Sequence, residues 1–517
     1  MSLLRAASLI ALLSLASKFV GLFRDQVIAY YCGLSAITDA YQVASLIPVQ
    51  FALIMLGGLN GPFHSAVVST LTRHFEAQNR ENYGSVLSSA LLLVITLMGA
   101  GAALLFVFAP QILQLWGQMP AETLHLAVIQ MRIMAPVFVI SGLVGICYGI
   151  LSIRQSFLTP SLSPIMASLG VIVGLVLFAG PEAESLSRAL AWGTLIGALG
   201  QLLLQLLPLA GFFRHMHLEL RLNDPELRQF LQLLLPAMLS STIGQVNIFI
   251  IQFFASGLQE GGIAAFRYGN LLIQLPLGIL LTALLVPLLP MLSSAAQQED
   301  RYQSLKDRLN QGLRPILMLT VPITLLLICF GYFAIVLLFQ RGQFTAESSW
   351  LTYEVLLYLA LSITVYAIRD LLIRVFYALG DSRTPFLSSF VTIFTMFGAA
   401  WLLAPGMGVS GIALASSLAA GMNFLVLALL LHWRIGSWIQ RESWLHGLKV
   451  LVAALPMALL GAYAFVILRQ QALGVGVFLQ SVLYSSLLGL SYIGILLLLR
   501  DREVLALHST LLRRLRR

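Results

Sequence analysis

The sequence predicts an all-α, polytopic membrane protein of about fourteen transmembrane helices, and three observations carry that expectation. First, 59% of the 517 residues are hydrophobic and 10% are charged, whereas a soluble domain carries about 25% charged residues. Second, apolar runs recur at the roughly 20 residues needed to cross a hydrocarbon core of about 30 Å as a helix. Third, the basic residues alternate between the loops joining those runs. In lipid only helices and closed barrels satisfy their own backbone, and continuous apolar runs exclude the alternating pattern of a barrel.

In chain order the spans fall at 8–32, 36–63, 83–109, 122–150, 159–180, 186–212, 227–256, 262–292, 309–339, 349–379, 385–405, 408–432, 446–468 and 474–499. With the N-terminus inside, the inner loops hold Arg73, Arg80, Arg154, Arg214, Arg221, Arg228, Arg301, Lys306, Arg308, Arg383, Arg434 and Arg441, and the outer loops little beyond Arg188, Arg341 and Arg469. One missed helix would scramble this alternation, so both termini are expected on the cytoplasmic side. The net charge of +9 is read as this loop bias rather than as a nucleic-acid surface. The tail arginines Arg513, Arg514, Arg516 and Arg517 suit contact with anionic lipid. The first apolar stretch has no small-residue cleavage site and runs into Gly21 and Arg24, so no cleavable signal peptide is expected.

An internal repeat divides the spans. Thr159-Pro160 recurs as Thr384-Pro385 and Ala40-Tyr41 as Ala265-Phe266, both 225 residues later, and Gly33-Leu34 recurs as Gly257-Leu258, 224 later. Two six-helix lobes in a parallel repeat are therefore expected, an organisation found in transporters with a site between the repeats. The expected divisions are 1–222 for the first lobe, 223–440 for the second, 441–500 for an added helix pair and 501–517 for a basic tail.

A charge at the bilayer centre costs about 2.5–3.5 kcal/mol on insertion scales, so intramembrane polar residues are the functional candidates. Span one carries Lys18, Arg24 and Asp25 around Gly21, with Lys18 and Asp25 on one helical face; an Arg24–Asp25 neutralisation could be purely structural. Span two carries Asp39 and Gln50 on one face, interrupted by Pro48, and Asp39 fits either a cavity or the outer interface. Span eight carries Arg267, Asn270 and Gln274 at i, i+3 and i+7, a single polar stripe. In span ten, Asp370 and Arg374 have the spacing of a structural ion pair beside Arg369. Arg132 in span four sits at the outer interface or in a cavity.

No catalytic constellation is present. The eight histidines show neither zinc nor triad spacing, and no phosphate-cradling loop with its lysine marks a nucleotide site. Cys32, Cys147 and Cys329 lie far apart in apolar surroundings and read as small core residues. No cofactor and no metal site are expected, and an enzyme is the least supported class.

The chain resembles the MurJ (MviN) family of lipid II flippases, within the multidrug/oligosaccharidyl-lipid/polysaccharide exporter superfamily. The resemblance is carried by Ser17-Lys18-Phe19-Val20-Gly21-Leu22-Phe23-Arg24-Asp25, Thr38-Asp39-Ala40-Tyr41, Gly58-Leu59-Asn60-Gly61-Pro62-Phe63, Pro160-Ser161-Leu162-Ser163-Pro164, Gln274-Leu275-Pro276-Leu277-Gly278 and Phe376-Tyr377-Ala378-Leu379-Gly380-Asp381-Ser382-Arg383-Thr384-Pro385. It implies a cationic central cavity, a hydrophobic groove on the last helix pair, and transfer of the undecaprenyl-diphosphate-linked peptidoglycan precursor from the inner to the outer leaflet of the bacterial cytoplasmic membrane by alternating access. The implied partners are lipid II and the bilayer, with cell-wall synthesis proteins as possible companions of a monomeric carrier.

Residue by residue, Arg24 and Asp39 match essential positions of the family. Lys18 stands where the family has arginine, which keeps the charge but loses bidentate phosphate geometry. Further family positions fall on Ala52, Gly57 and Leu271; Arg267, one turn before Leu271 and on its face, is the candidate substitute for the missing cation, with a place at the outer interface as the alternative. The family's sodium site uses acidic groups on spans seven and eleven, and neither span offers a central carboxylate here. Two other readings stand beside this one: an exporter of another polyprenyl-linked glycan or of drugs, and a non-transporting scaffold of the cell-wall machinery.

Overall fold

The computed structural model describes residues 3–53, 64, 66–70, 80–117, 119–210, 225–471 and 474–505. Gly57, the Gly58–Phe63 motif, the loop residues Arg73, Arg214 and Arg221, and the tail arginines lie outside the described residues. Among the described residues the regular elements are all helical. In order they include α1 (Leu3–Cys32), α2 (Ala36–Ser45), α3 (Arg80–Val107), α4 (Ala121–Met134), α5 (Val137–Ile153), α6 (Leu158–Phe178), α7 (Ala183–Leu206), α8 (Pro225–Ala255) and α9 (Gly262–Leu280). There follow α10 (Val286–Ala295), α11 (Arg301–Phe339), α12 (Ala346–Ala360), α13 (Ser362–Ala378), α14 (Arg383–Ile435), α15 (Arg441–Arg469) and α16 (Val475–Leu498).

Among the described residues nine helices are long and apolar enough to cross a membrane, or ten when α4 and α5, bent by 42°, are counted as one span. Pro136 lies at that bend and removes a backbone donor. The chain widens into a π turn over Leu46–Phe51, where Pro48 breaks the regular ladder. The eleventh and twelfth expected spans fall on α14, whose 53 residues are broken at Gly408 (φ 60°, ψ −141°). The helix starts also carry the repeat: Ala121 and Ala346, Val137 and Ser362, and Leu158 and Arg383 are each 225 residues apart.

The chain divides into two compact units, residues 1–264 with 341–345, and residues 265–340 with 346–517. This division differs from the repeat, because α8 belongs to the first unit. Within it, Gln252 of α8 donates to the Gln42 carbonyl at 3.3 Å and Ser256 to the Trp116 carbonyl at 2.6 Å. The α6–α7 pair is built on glycine: a Cβ on Gly170 would meet the Gly197 Cα at 2.3 Å, and one on Gly174 the Gly193 Cα at 2.6 Å. Small residues let two helix backbones approach this closely where lipid offers no hydrophobic drive.

In the second unit α15 and α16 pack on α11. Pro322 in α11 has no N–H to give the Met318 carbonyl, and the Tyr492 hydroxyl of α16 donates to that carbonyl at 3.0 Å. Buried His446 of α15 bonds the Asp501 carboxylate through Nδ1 at 2.8 Å and the Arg314 carbonyl of α11 through Nε2 at 2.9 Å. Arg314 in turn meets Glu442 at 3.1 Å and Glu503 at 3.6 Å.

Candidate functional site

In the first unit α1 carries the cations. Arg24 donates to its neighbour Asp25 from Nε at 3.2 Å and Nη2 at 3.0 Å. Asp25 is buried and the Arg24 side chain 26% exposed. Lys18 is exposed, so the structure brings Arg24 and Asp25 together and leaves Lys18 apart.

Asp39 is buried on α2, and its two oxygens accept the N–H groups of Gly261 at 2.7 Å and Ala264 at 2.9 Å. Those groups open α9, so Asp39 works as a helix cap supplied from 222 residues earlier in the chain. The arrangement is reciprocal: Glu260 accepts the Ala36 N–H, at the start of α2, at 2.8 Å. Helix starts carry unpaired N–H groups and partial positive charge, so each carboxylate satisfies both needs. Gln50, expected on the face of Asp39, donates instead to the Ser45 hydroxyl at 3.1 Å. Arg132 is exposed and donates to the Phe106 carbonyl at 3.2 Å, near the end of α3, with its guanidinium 5.8 Å from the Phe106 ring centroid. That contact suits a cation at a helix C-terminus.

In the second unit the span-eight stripe divides. Asn270 and Gln274 line a cavity of about 200 Å³, together with Ser362, Tyr366, Arg369, Asp370 and Ser416, closed by Ile273, Leu277 and Leu359. Arg267 is half-buried and is not among the lining residues. The ion pair of span ten forms between Arg369 and Asp370 at 2.7 Å, not between Asp370 and Arg374 as the i, i+4 spacing suggested. The Arg369 guanidinium stands 4.6 Å from the centroid of the Tyr366 ring, a cation–π contact that fixes its plane. Sequence reasoning missed Ser362, Tyr366 and Ser416; the steps of four and three from Ser362 to Tyr366 to Arg369 were the signal that they share a face.

These features define a class before they define a family. Two solved membrane proteins share the fold. One is described as lipid II flippase MurJ in an inward closed conformation, with a TM-score of 0.77, 22% identity, and 95% of this chain and 99% of that one covered. The other is an inward-facing multidrug resistance MATE family transporter of the MOP superfamily, at 0.66 and 16%, with 83% and 98% covered. The fold is thus one that these two solved proteins share. The family profile described as lipid II flippase MurJ matches residues 28–484. A probable lipid II flippase MurJ of Synechocystis sp. is 34% identical over 502 residues, 93% of this chain and 91% of that protein, and the lipid II flippase MurJ of Burkholderia cenocepacia is 28% identical with 88% of each chain covered. The chain belongs to the MurJ family.

Proposed function

We propose that this protein is a lipid II flippase of the bacterial cytoplasmic membrane, a transporter and not an enzyme, that moves the lipid-linked peptidoglycan precursor from the inner to the outer leaflet. The observation that carries this reading is a 34% identity to a probable flippase running over 93% of the chain, and the sequence also carries the Lys18 to Asp25 and Phe376 to Pro385 stretches through which it resembles the family. The chemistry agrees. A diphosphate needs charge-assisted donors; Arg24, supported by Lys18 and Arg267, supplies them, while the polyprenyl tail stays in lipid or on the last helix pair.

Fourteen spans, in two six-helix lobes with an added pair and both termini cytoplasmic, fit the loop charges and the 225-residue offset of the helix starts. Alternating access by rocking of the repeats is the mechanism such a repeat supports. The protein works as a monomer, and the membrane potential, worth about 2.3 kcal/mol per charge per 100 mV, can bias the cycle.

The test is complementation of a strain depleted of its flippase, scored for lysis. The unaltered chain should rescue growth, and Arg24→Ala and Arg267→Ala should not. Full rescue by Arg267→Ala would remove that residue from the site; rescue by both variants would favour a scaffold. Transport of labelled lipid II into vesicles, against an O-antigen-type lipid, separates this reading from export of another glycan.

A further inference from the structure

The cavity of the second unit has a chemistry unlike that of the span-one motif. Arg369 is held edge-on by Asp370 through two hydrogen bonds, at 2.7 and 3.1 Å, and face-on by Tyr366. The pair brings the cavity no net charge. Around it stand two amides and two hydroxyls, those of Asn270, Gln274, Tyr366 and Ser416, none of which has a protein hydrogen-bond partner among the described residues. At about 200 Å³ the cavity is smaller than the 300–1,000 Å³ of a site for a whole drug-sized ligand, so it takes one part of a larger molecule.

Three kinds of occupant fit poorly. A phosphate would meet a guanidinium neutralised by Asp370 with no second cation among the lining residues, whereas Lys18 leaves the α1 motif a net positive charge. An apolar chain would strip water from four polar groups and return no hydrogen bond. A peptide bearing free carboxylates or an amine meets no uncompensated opposite charge. A sugar ring with an acetamide group fits: its hydroxyls donate and accept in several directions, and each amide and hydroxyl of the cavity also does both.

We propose that this cavity is a subsite for one uncharged N-acetylated sugar ring of the substrate headgroup, separate from the groups that bind its diphosphate. The assignment rests on the lipid II reading and goes beyond it by naming which part of the headgroup selects for this carrier. Tyr366 and Ser416 are its specificity residues, and the Arg369–Asp370 pair is the scaffold that orients the ring of Tyr366.

The experiment compares binding of lipid II and of undecaprenyl diphosphate, which lacks the sugars, to the full-length protein in lipid nanodiscs. The unaltered chain should bind lipid II more tightly. The Tyr366→Phe/Ser416→Ala double variant should weaken lipid II binding by about tenfold, the effect of losing one or two net hydrogen bonds. It should leave undecaprenyl diphosphate binding within about twofold, which also shows that the variant folds. Soluble GlcNAc–MurNAc disaccharide should compete with lipid II on the unaltered chain and lose that ability on the variant. Equal losses for both lipids, no loss for either, or competition by the free pentapeptide that the variant abolishes would each overturn the sugar subsite. Equal affinity of the unaltered chain for the two lipids would overturn the subsite alone, whereas failure to bind either lipid would overturn the flippase reading with it.

Discussion

The turn that follows α5 and the turn that follows α13 have the same backbone and different chemistry. In the first, the Gln155 N–H bonds the Ser152 carbonyl at 3.0 Å and the Ser156 N–H the Leu151 carbonyl at 2.9 Å; in the second, Gly380 bonds Tyr377 at 3.0 Å and Asp381 bonds Phe376 at 2.9 Å. Every one of these positions recurs after 225 residues, down to the left-handed residue, Gln155 at φ 54° and Gly380 at φ 72°. This is the glycine-type helix stop, with its crossed hydrogen bonds. The second unit uses the residue that suits it and the first carries a side chain there.

The surroundings differ as well. Asp381 accepts from the Thr384 N–H at 3.0 Å and hydroxyl at 2.8 Å, and pairs with Arg434 at the far end of α14. Ser156 holds the matching place in the first unit, where Arg154 makes a 3.5 Å contact with the Pro208 carbonyl just beyond α7. A repeat thus preserves where the backbone turns, while each copy acquires its own locks. The starts of α2 and α9 show the same inequality: a buried aspartate holds two N–H groups of one, and an exposed glutamate holds a single N–H of the other.

The largest expected effect comes from those helix starts. Asp39→Ala leaves two buried donors without acceptors and should lower stability by about 2–3 kcal/mol, while Glu260→Ala should cost under about 1 kcal/mol. Thermal unfolding of the two variants in detergent measures the difference, and equal shifts would mean the two caps are equivalent. Next, Gly380→Gln copies the first unit's residue into the second and should cost about 1–2 kcal/mol, the strain of a side chain in left-handed backbone. The converse change, Gln155→Gly, should stabilise by about 0.5–1 kcal/mol once the glycine's extra unfolded-state freedom is subtracted; a loss of stability would show that the Gln155 side chain contributes there.

The smallest effect is a pH dependence. The Thr384 N–H, then the Thr384 hydroxyl and Arg434, hold the Asp381 carboxyl below the usual carboxylate range. Its contribution is therefore complete above the ordinary aspartate pKa of about 3.9 and is lost as the pH falls through the lower folded value. Asp381→Asn should flatten the acid limb of the unfolding profile below about pH 4, and an unchanged limb would assign that limb to other carboxylates.

Much of the fold could be read without coordinates, because hydropathy reports burial in lipid and the 225-residue offset reports the repeat. The site was readable only in part. Arg24, Asp25, Asn270 and Gln274 stood out because polar groups are costly in a bilayer. That cost does not say which partner repays it. Asp39 had the profile of a cavity acid, yet its oxygens face the start of α9, far along the chain. Asp370 had an ion-pair partner one turn away in Arg374, and its immediate neighbour Arg369 took it. Arg132 looked isolated until the end of α3 came beside it. Partners are set by how helices pack, and spacing along one helix carries no record of its neighbours.

The missing N–H of Pro322 has a consequence for where later helices can attach to a repeated unit. The Met318 carbonyl it leaves open is a socket, and Tyr492 is the plug. The matching position in the first copy is Leu97, in α3, which runs from Arg80 to Val107 without a proline. A leucine keeps the backbone ladder closed there, so the first copy's long helix shows no such socket. One imino acid therefore gives α11 an open acceptor that α16 fills, and a chain with Pro322→Leu would close it while keeping the apolar surface around it.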